Sequence, residues 1–126
     1  MKKRTIITVL TIALFAAILV MQSCKKEDEN QLPACKITTP SDGQQFAVGD
    51  TVKIVVEASD NDGTVAKVDC YVNGQQAASA TVAPYIFLWN TQDVQAGNYD
   101  LKATATDDKG GTASDQISIT LGSAKK

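Results

Sequence analysis

Between residues 35 and 122, short runs alternate apolar and polar side chains, and each run closes on a Gly- or Asp-containing turn. This alternation constrains the fold most, because successive side chains of an extended strand point to opposite faces. Val52, Ile54, Val56 and Ala58 share one face of their run. In Val68–Val72 the same rule turns Asp69 and Tyr71 outward. Tyr99–Ala105 and Ile117–Leu121 alternate just as cleanly. Turn signals at Asp42-Gly43, Gly49-Asp50, Asp62-Gly63, Asn73-Gly74, Gly97-Asn98 and Gly110-Gly111 separate the runs. Asn73-Gly74, two residues between two strand-like runs, predicts a type I′ hairpin. No window carries a helical apolar stripe. Seven short strands predict an all-β, antiparallel Greek-key sandwich over 35–122, with a disordered tail at 123–126.

Two segments echo each other. Ala58–Thr64 and Ala105–Thr112 each run from a strand end through an acidic, Gly-containing loop into a new strand. The pseudo-symmetry of a Greek-key sandwich explains the echo without a repeat array, and it places both loops at one end. Four carboxylates, Asp60, Asp62, Asp107 and Asp108, would then converge. A bound Ca²⁺ would relieve their repulsion with hard oxygen ligands. An EF-hand is excluded, since the twelfth position counted from Asp60 is Tyr71 rather than Glu. Asp, Asn and Gly also make turns unaided, so a purely conformational role stands beside the metal.

Cys35 and Cys70 both fall on inward phases. They read either as two small buried apolar residues or as a disulfide closing a loop of about 35 residues, worth ~3–4 kcal/mol. Tyr85, Phe87 and Trp89 share one phase and read as core. Ile86 and Leu88 then point outward, either covered by neighbouring strand ends or forming a contact patch, with Tyr71 as the outward aromatic. Tyr99 precedes the longest strand, where a tyrosine would be structural.

The 126-residue chain has no His, which removes His-based acid–base chemistry and His metal ligation. Its charge is split. Residues 1–24 carry Lys2, Lys3 and Arg4 and no acid, whereas 25–126 carry nine bases against fourteen acids, a balance of −5. An acidic body argues against nucleic acid and against electrostatic docking on an anionic leaflet. With no nucleophile–base pair and no cleft expected in so small a sandwich, the chain reads as non-catalytic.

Met1–Arg4 is a basic cap on the nearly apolar run Thr5–Val20, which is long for a secretory core and short for a membrane span. Met21-Gln22-Ser23-Cys24 follows. The segment resembles a bacterial lipoprotein signal peptide of Bacteroidota type, in which a small residue precedes a diacylated Cys. The resemblance implies a signal peptide over 1–23, a lipid on Cys24, and membrane attachment through that lipid. The alternative is an uncleaved single-pass anchor. Residues 24–34 form an acidic tether expected to be disordered. Lys25-Lys26-Glu27-Asp28-Glu29 resembles the export signal that places Bacteroidota lipoproteins on the exterior of the outer membrane; the alternative is a periplasm-facing anchor.

Residues 37–121 are similar to a bacterial immunoglobulin-like domain. The likeness rests on Ile37–Gly43, Val56–Val68, Tyr71–Gly74, Ala83–Trp89 and Gly97–Asp107. It implies the sandwich and no single activity. Cys35 and Cys70 are not the pair usually bridged in immunoglobulin domains. The expected role is a cell-envelope binding, adhesion or spacer module for a protein or envelope component. The alternative is an accessory carbohydrate-binding module supporting glycan degradation.

Overall fold

The computed structural model describes residues 29–123. Among them lie eight strands and no helix. These are β1 (Ala34–Thr39), β2 (Gln45–Ala47), β3 (Thr51–Ser59), β4 (Val65–Val72), β5 (Gln75–Ala80), β6 (Tyr85–Asn90), β7 (Gly97–Asp107) and β8 (Thr112–Gly122). A three-stranded sheet, ordered β1-β3-β6, faces a five-stranded sheet, ordered β2-β8-β7-β4-β5. Neighbours run antiparallel except β2 and β8, which are parallel. The expected all-β, immunoglobulin-like sandwich is therefore present, with one strand beyond the seven expected.

The additional strand is β2. After β1 the chain crosses from one sheet to the other. Asp42 Oδ1 accepts the Ser118 amide at 2.8 Å, and the Gly43 amide donates to the Ser118 carbonyl at 2.7 Å. Three residues, Gln45-Phe46-Ala47, then pair with Thr120–Gly122. So short a run shows no period-2 signal, because alternation needs at least four or five residues to be visible.

The inward phase of each strand meets in one core. Val52, Ile54 and Val56 from β3 face Val68 and Cys70 from β4, Leu101, Ala103 and Ala105 from β7, and Ile117, Ile119 and Leu121 from β8. Each fully buried aliphatic side chain contributes about 1.5–3 kcal/mol relative to exposure. The Asn73-Gly74 turn has positive φ at both residues, 49° and 82°, the conformation of a type I′ hairpin. Gly74 supplies it without the Cβ penalty.

Two expectations need correction. Asp69 lies on the outer face but is only 5% exposed, because Lys67 Nζ at 3.2 Å and Gln76 Nε2 at 3.2 Å cover its carboxylate. Tyr71 is half-buried rather than freely outward. The signal segment 1–23, Cys24, the basic-acidic residues 25–28 and the last residues 124–126 lie outside the described residues. The part of the tether that is described, 29–33, has no regular structure but is held against the domain.

Candidate functional site

The inward phases of β3 and β7 do not stop where their apolar residues stop. Val52, Ile54, Val56 and Ala58 are followed, at the next inward position, by Asp60. Leu101, Ala103 and Ala105 are followed by Asp107, which is 2% exposed. Both strands thus end by turning a carboxylate toward the gap between the sheets. The loops after them meet, tied by the Asp108 amide donating to the Thr64 carbonyl at 3.0 Å. Carboxylate oxygens of Asp60, Asp107 and Asp108 lie within 4.8 Å of one another. Asp62 adjoins them, its amide donating to Asp60 Oδ1 at 3.2 Å. All four aspartates singled out in the sequence are therefore brought together.

Two further residues complete the group. Asn30 Nδ2 donates to Asp107 Oδ2 at 2.7 Å, and the Gln31 amide donates to Asp62 Oδ2 at 2.8 Å. Nothing in the tether's composition singles these residues out. The parity of Asp60 and Asp107 is the sequence signal that could have pointed to the gap they face.

The loop glycines make room for this packing. A Cβ on Gly63 would strike the Asp108 carboxylate, and one on Gly111 would come within 2.7 Å of both Asn30 Nδ2 and Asp107 Oδ2. Asp107 is held by its backbone neighbours as well. Its Oδ1 accepts the amides of Lys109 at 2.9 Å and Gly111 at 2.7 Å. Lys109 Nζ, 3.6 Å from Asp62 Oδ2, is the cation the structure pairs with the group.

Three oxygens of this group expose less than 1 Å² each and accept from no N–H or hydroxyl: Asn30 Oδ1, Asp60 Oδ2 and Asp62 Oδ1. A buried acceptor without a partner loses its solvation uncompensated. The electrostatics are uneven. The hydrogen bond to Asp62 is the main cause that raises the Asp60 carboxyl above the usual carboxylate range, with desolvation adding to it. Asp62 is held below that range, first by the Gln31 amide and then by Asp60. Burial pushes Asp107 up, but hydrogen bonds from Asn30, Gly111 and Lys109 outweigh it and leave the carboxyl lowered. Asp62 and Asp107 therefore add stability that is lost as pH falls through their folded values. Asp60 behaves oppositely, its contribution being lost as pH rises through its raised value.

The remaining candidates are scattered. Cys35 on β1 and Cys70 on β4, in opposite sheets, are both free thiols in the structure. Cys35 Sγ donates to the Ala103 carbonyl at 3.6 Å. Burial raises the Cys35 thiol and pushes Cys70 up to about 11, so both are poor nucleophiles at neutral pH. Ile86 and Leu88 are exposed, at 42% and 70%, on β6, an edge of the three-stranded sheet. Tyr71 sits on β4 in the other sheet, so the three do not form one contact surface. Val82, 75% exposed, precedes β6. A groove of about 340 Å³ runs beside it, lined by Val55, Glu57, Ala83, Pro84 and Tyr85. Tyr85 and Phe87 are buried, whereas Trp89 is half-buried with its ring edge-on to Tyr99, 5.3 Å between centroids. Tyr99 Oη donates to the Gln95 carbonyl at 2.6 Å, closing the turn before β7 as a tyrosine corner does.

A family model described as a bacterial Ig domain matches residues 33–103. No curated protein matches the chain. Among solved structures, the chain is 28% identical to the fibronectin(III)-like modules of CbhA from Clostridium thermocellum, with a TM-score of 0.66. That match covers 78% of this chain and 50% of the CbhA chain, so this chain spans about half of its length. The PKD1 domain of Epp from Vibrio anguillarum is 26% identical with a TM-score of 0.56, covering 77% of this chain and 100% of that one. SGBP-B of the mixed-linkage glucan utilization locus of Bacteroides ovatus, solved with a mixed-linkage heptasaccharide, is 18% identical with a TM-score of 0.53. It is covered over 26% of its length by 78% of this chain, and the likeness is one of fold.

Proposed function

The chain belongs to the bacterial Ig domain family, and from that premise we propose that it is a non-catalytic envelope lipoprotein, tethered through Cys24 and displaying one binding or spacer domain on the cell exterior. The observation that carries the binding part is the open β6 edge. Its backbone groups face outward next to Ile86, Leu88 and the preceding Val82, beside the groove at Ala83 and Pro84. A strand edge with no partner among the described residues, flanked by apolar side chains, suits the addition of an extended segment from a protein partner, main chain to main chain. The sequence around Ser23-Cys24 and the acidic stretch after it support the tether and its outward face.

The rival reading is a glycan-binding accessory, in keeping with the sugar-bound SGBP-B of like fold. Stacking on sugars needs exposed rings, and among the described residues the exposed large apolar side chains are Leu32, Val82, Ile86 and Leu88, all aliphatic. The protein-binding reading is therefore preferred.

The test is fractionation of cells expressing wild type and Cys24→Ala, fed an alkyne fatty acid and shaved with external protease. Wild type should label, sediment with the outer membrane and be cut from outside. The variant should lose the label and leave that fraction. Full labelling of the variant refutes the tether, and protection of labelled wild type from protease refutes the outward face.

A further inference from the structure

The segment before β1 has the composition of a linker, yet it takes one defined path over the loop end. Asn30 Nδ2 donates to Asp107 Oδ2 at 2.7 Å, and the Gln31 amide donates to Asp62 Oδ2 at 2.8 Å. Successive residues are thus fastened to different loops, one after β7 and the other after β3. Gly111 provides the seat, since a Cβ there would lie 2.7 Å from Asn30 Nδ2 and 3.0 Å from Leu32 Cδ2. The same fastenings can part without disturbing the sandwich. Asp107 keeps the amides of Lys109 and Gly111 on Oδ1, and Asp62 keeps Lys109 Nζ at 3.6 Å. Neither carboxylate loses its last partner when the segment lifts. Gln31 and Leu32 are exposed, so little apolar surface returns to water. Pro33, by contrast, is buried, and the Ile37 amide is held by Asp115 Oδ2 at 2.9 Å, so β1 stays in place.

We propose that Asn30–Leu32 is a strap with two states, buckled to the loops after β3 and β7 or released from both, and hinged at Pro33. Buckled, the strap fixes where the tether leaves the sandwich and in which direction. Released, it frees that direction and lengthens the connection. The chain from Cys24 spans at most about 20 Å to Asn30 in the first state and about 32 Å to Pro33 in the second. Tension along the tether favours the longer, released state, because a load shifts an equilibrium toward the state that yields to it. These lengths rest on the proposed attachment at Cys24; the two states of the strap do not.

The experiment follows amide hydrogen exchange, residue by residue, in the full chain purified in detergent, as wild type and as Asn30→Asp. The substitution keeps the shape of the side chain but sets a second carboxylate against Asp107, so it should release the strap and leave the sandwich folded. In wild type the Gln31 amide should exchange roughly 10–100-fold more slowly than an unstructured amide, yet at least ~tenfold faster than the Ile37 amide, because the strap opens before the sandwich does. In Asn30→Asp the slowing at Gln31 should vanish, with the Ile37 amide within about threefold of wild type. Unslowed exchange at Gln31 in wild type overturns the buckled state. Equal rates at Gln31 and Ile37 in wild type overturn the released state, since the segment then opens only with the whole domain. Unchanged exchange at Gln31 in the variant overturns Asn30 as the buckle. The fatty-acid labelling of Cys24 reads the attachment separately, so either can fail while the other stands.

Discussion

Asp60 and Asp107 occupy positions that in the rest of their strands belong to Val, Ile, Leu and Ala. Each extends an inward phase by one residue and so sets a carboxylate at the mouth of the core instead of on its outer wall. Gly111 permits this, since any side chain there would press on Asn30 and Asp107. Gly111→Ala is expected to displace the Asn30 amide and destabilise the domain by about 0.5–3 kcal/mol, read as a shift in the urea midpoint, while leaving the strand content seen by circular dichroism unchanged. The raised Asp60 carboxyl gives a second prediction. Its contribution is lost as pH rises, so the stability gap between Asp60→Asn and wild type should widen in favour of the variant from pH 4 to pH 7, as followed by urea melts. A gap that narrows over that range contradicts the arrangement. At this scale the echo of two acidic loops made the aspartates legible, and counting in twos from Val52 or Leu101 is a second signal that arrives at Asp60 and Asp107. Asn30 was not legible, because its role depends on where the chain passes in space and not on its neighbours in sequence.

The strands take their places through alternation, and the turns through a few residues with special backbone needs. β7 is the central case. It lies between β8 and β4, and Leu101, Ala103 and Ala105 are fully buried. Leu101→Ala should cost about 2–5 kcal/mol, the transfer loss plus the cavity, measured as a shift in the urea midpoint at constant slope. Tyr99→Phe removes only the hydroxyl bond to the Gln95 carbonyl and should cost ~0.5–1.5 kcal/mol by the same measurement, with the ring still against Trp89. Period-2 patterning marks β3, β4, β7 and β8, and the shared phase of Tyr85, Phe87 and Trp89 marks β6. β2 has no such mark, because three residues carry no period and its parallel pairing with β8 is a property of the crossover between sheets. Asp69 lies on the expected face, but that face is covered there. Alternation assigns a face, but it does not say whether Lys67 and Gln76 will fold over that face and close it.

For the whole molecule, the proposed lipid on Cys24 would be joined to the sandwich through a short connection. Nine residues separate Cys24 from β1, and each can span at most ~3.6 Å, so the sandwich would stand no more than about 36 Å from a lipid on Cys24. With Asn30 and Gln31 held to the loop end, only residues 25–29 remain to set that height, about 20 Å. The loop end, with its aspartates, would then face the membrane, and the strand ends opposite would face outward. The family's fold is common to proteins of many activities, so position and exposed edge carry the functional argument here, and the core carries stability. The account rests most directly on the chemistry of one residue. Intact-mass spectrometry of the protein extracted from cell membranes should find a chain beginning at Cys24, heavier than its sequence by a diacylglyceryl group with or without a further acyl chain. A mass that retains Met1–Ser23, or a chain beginning at Cys24 with no added lipid, would contradict it.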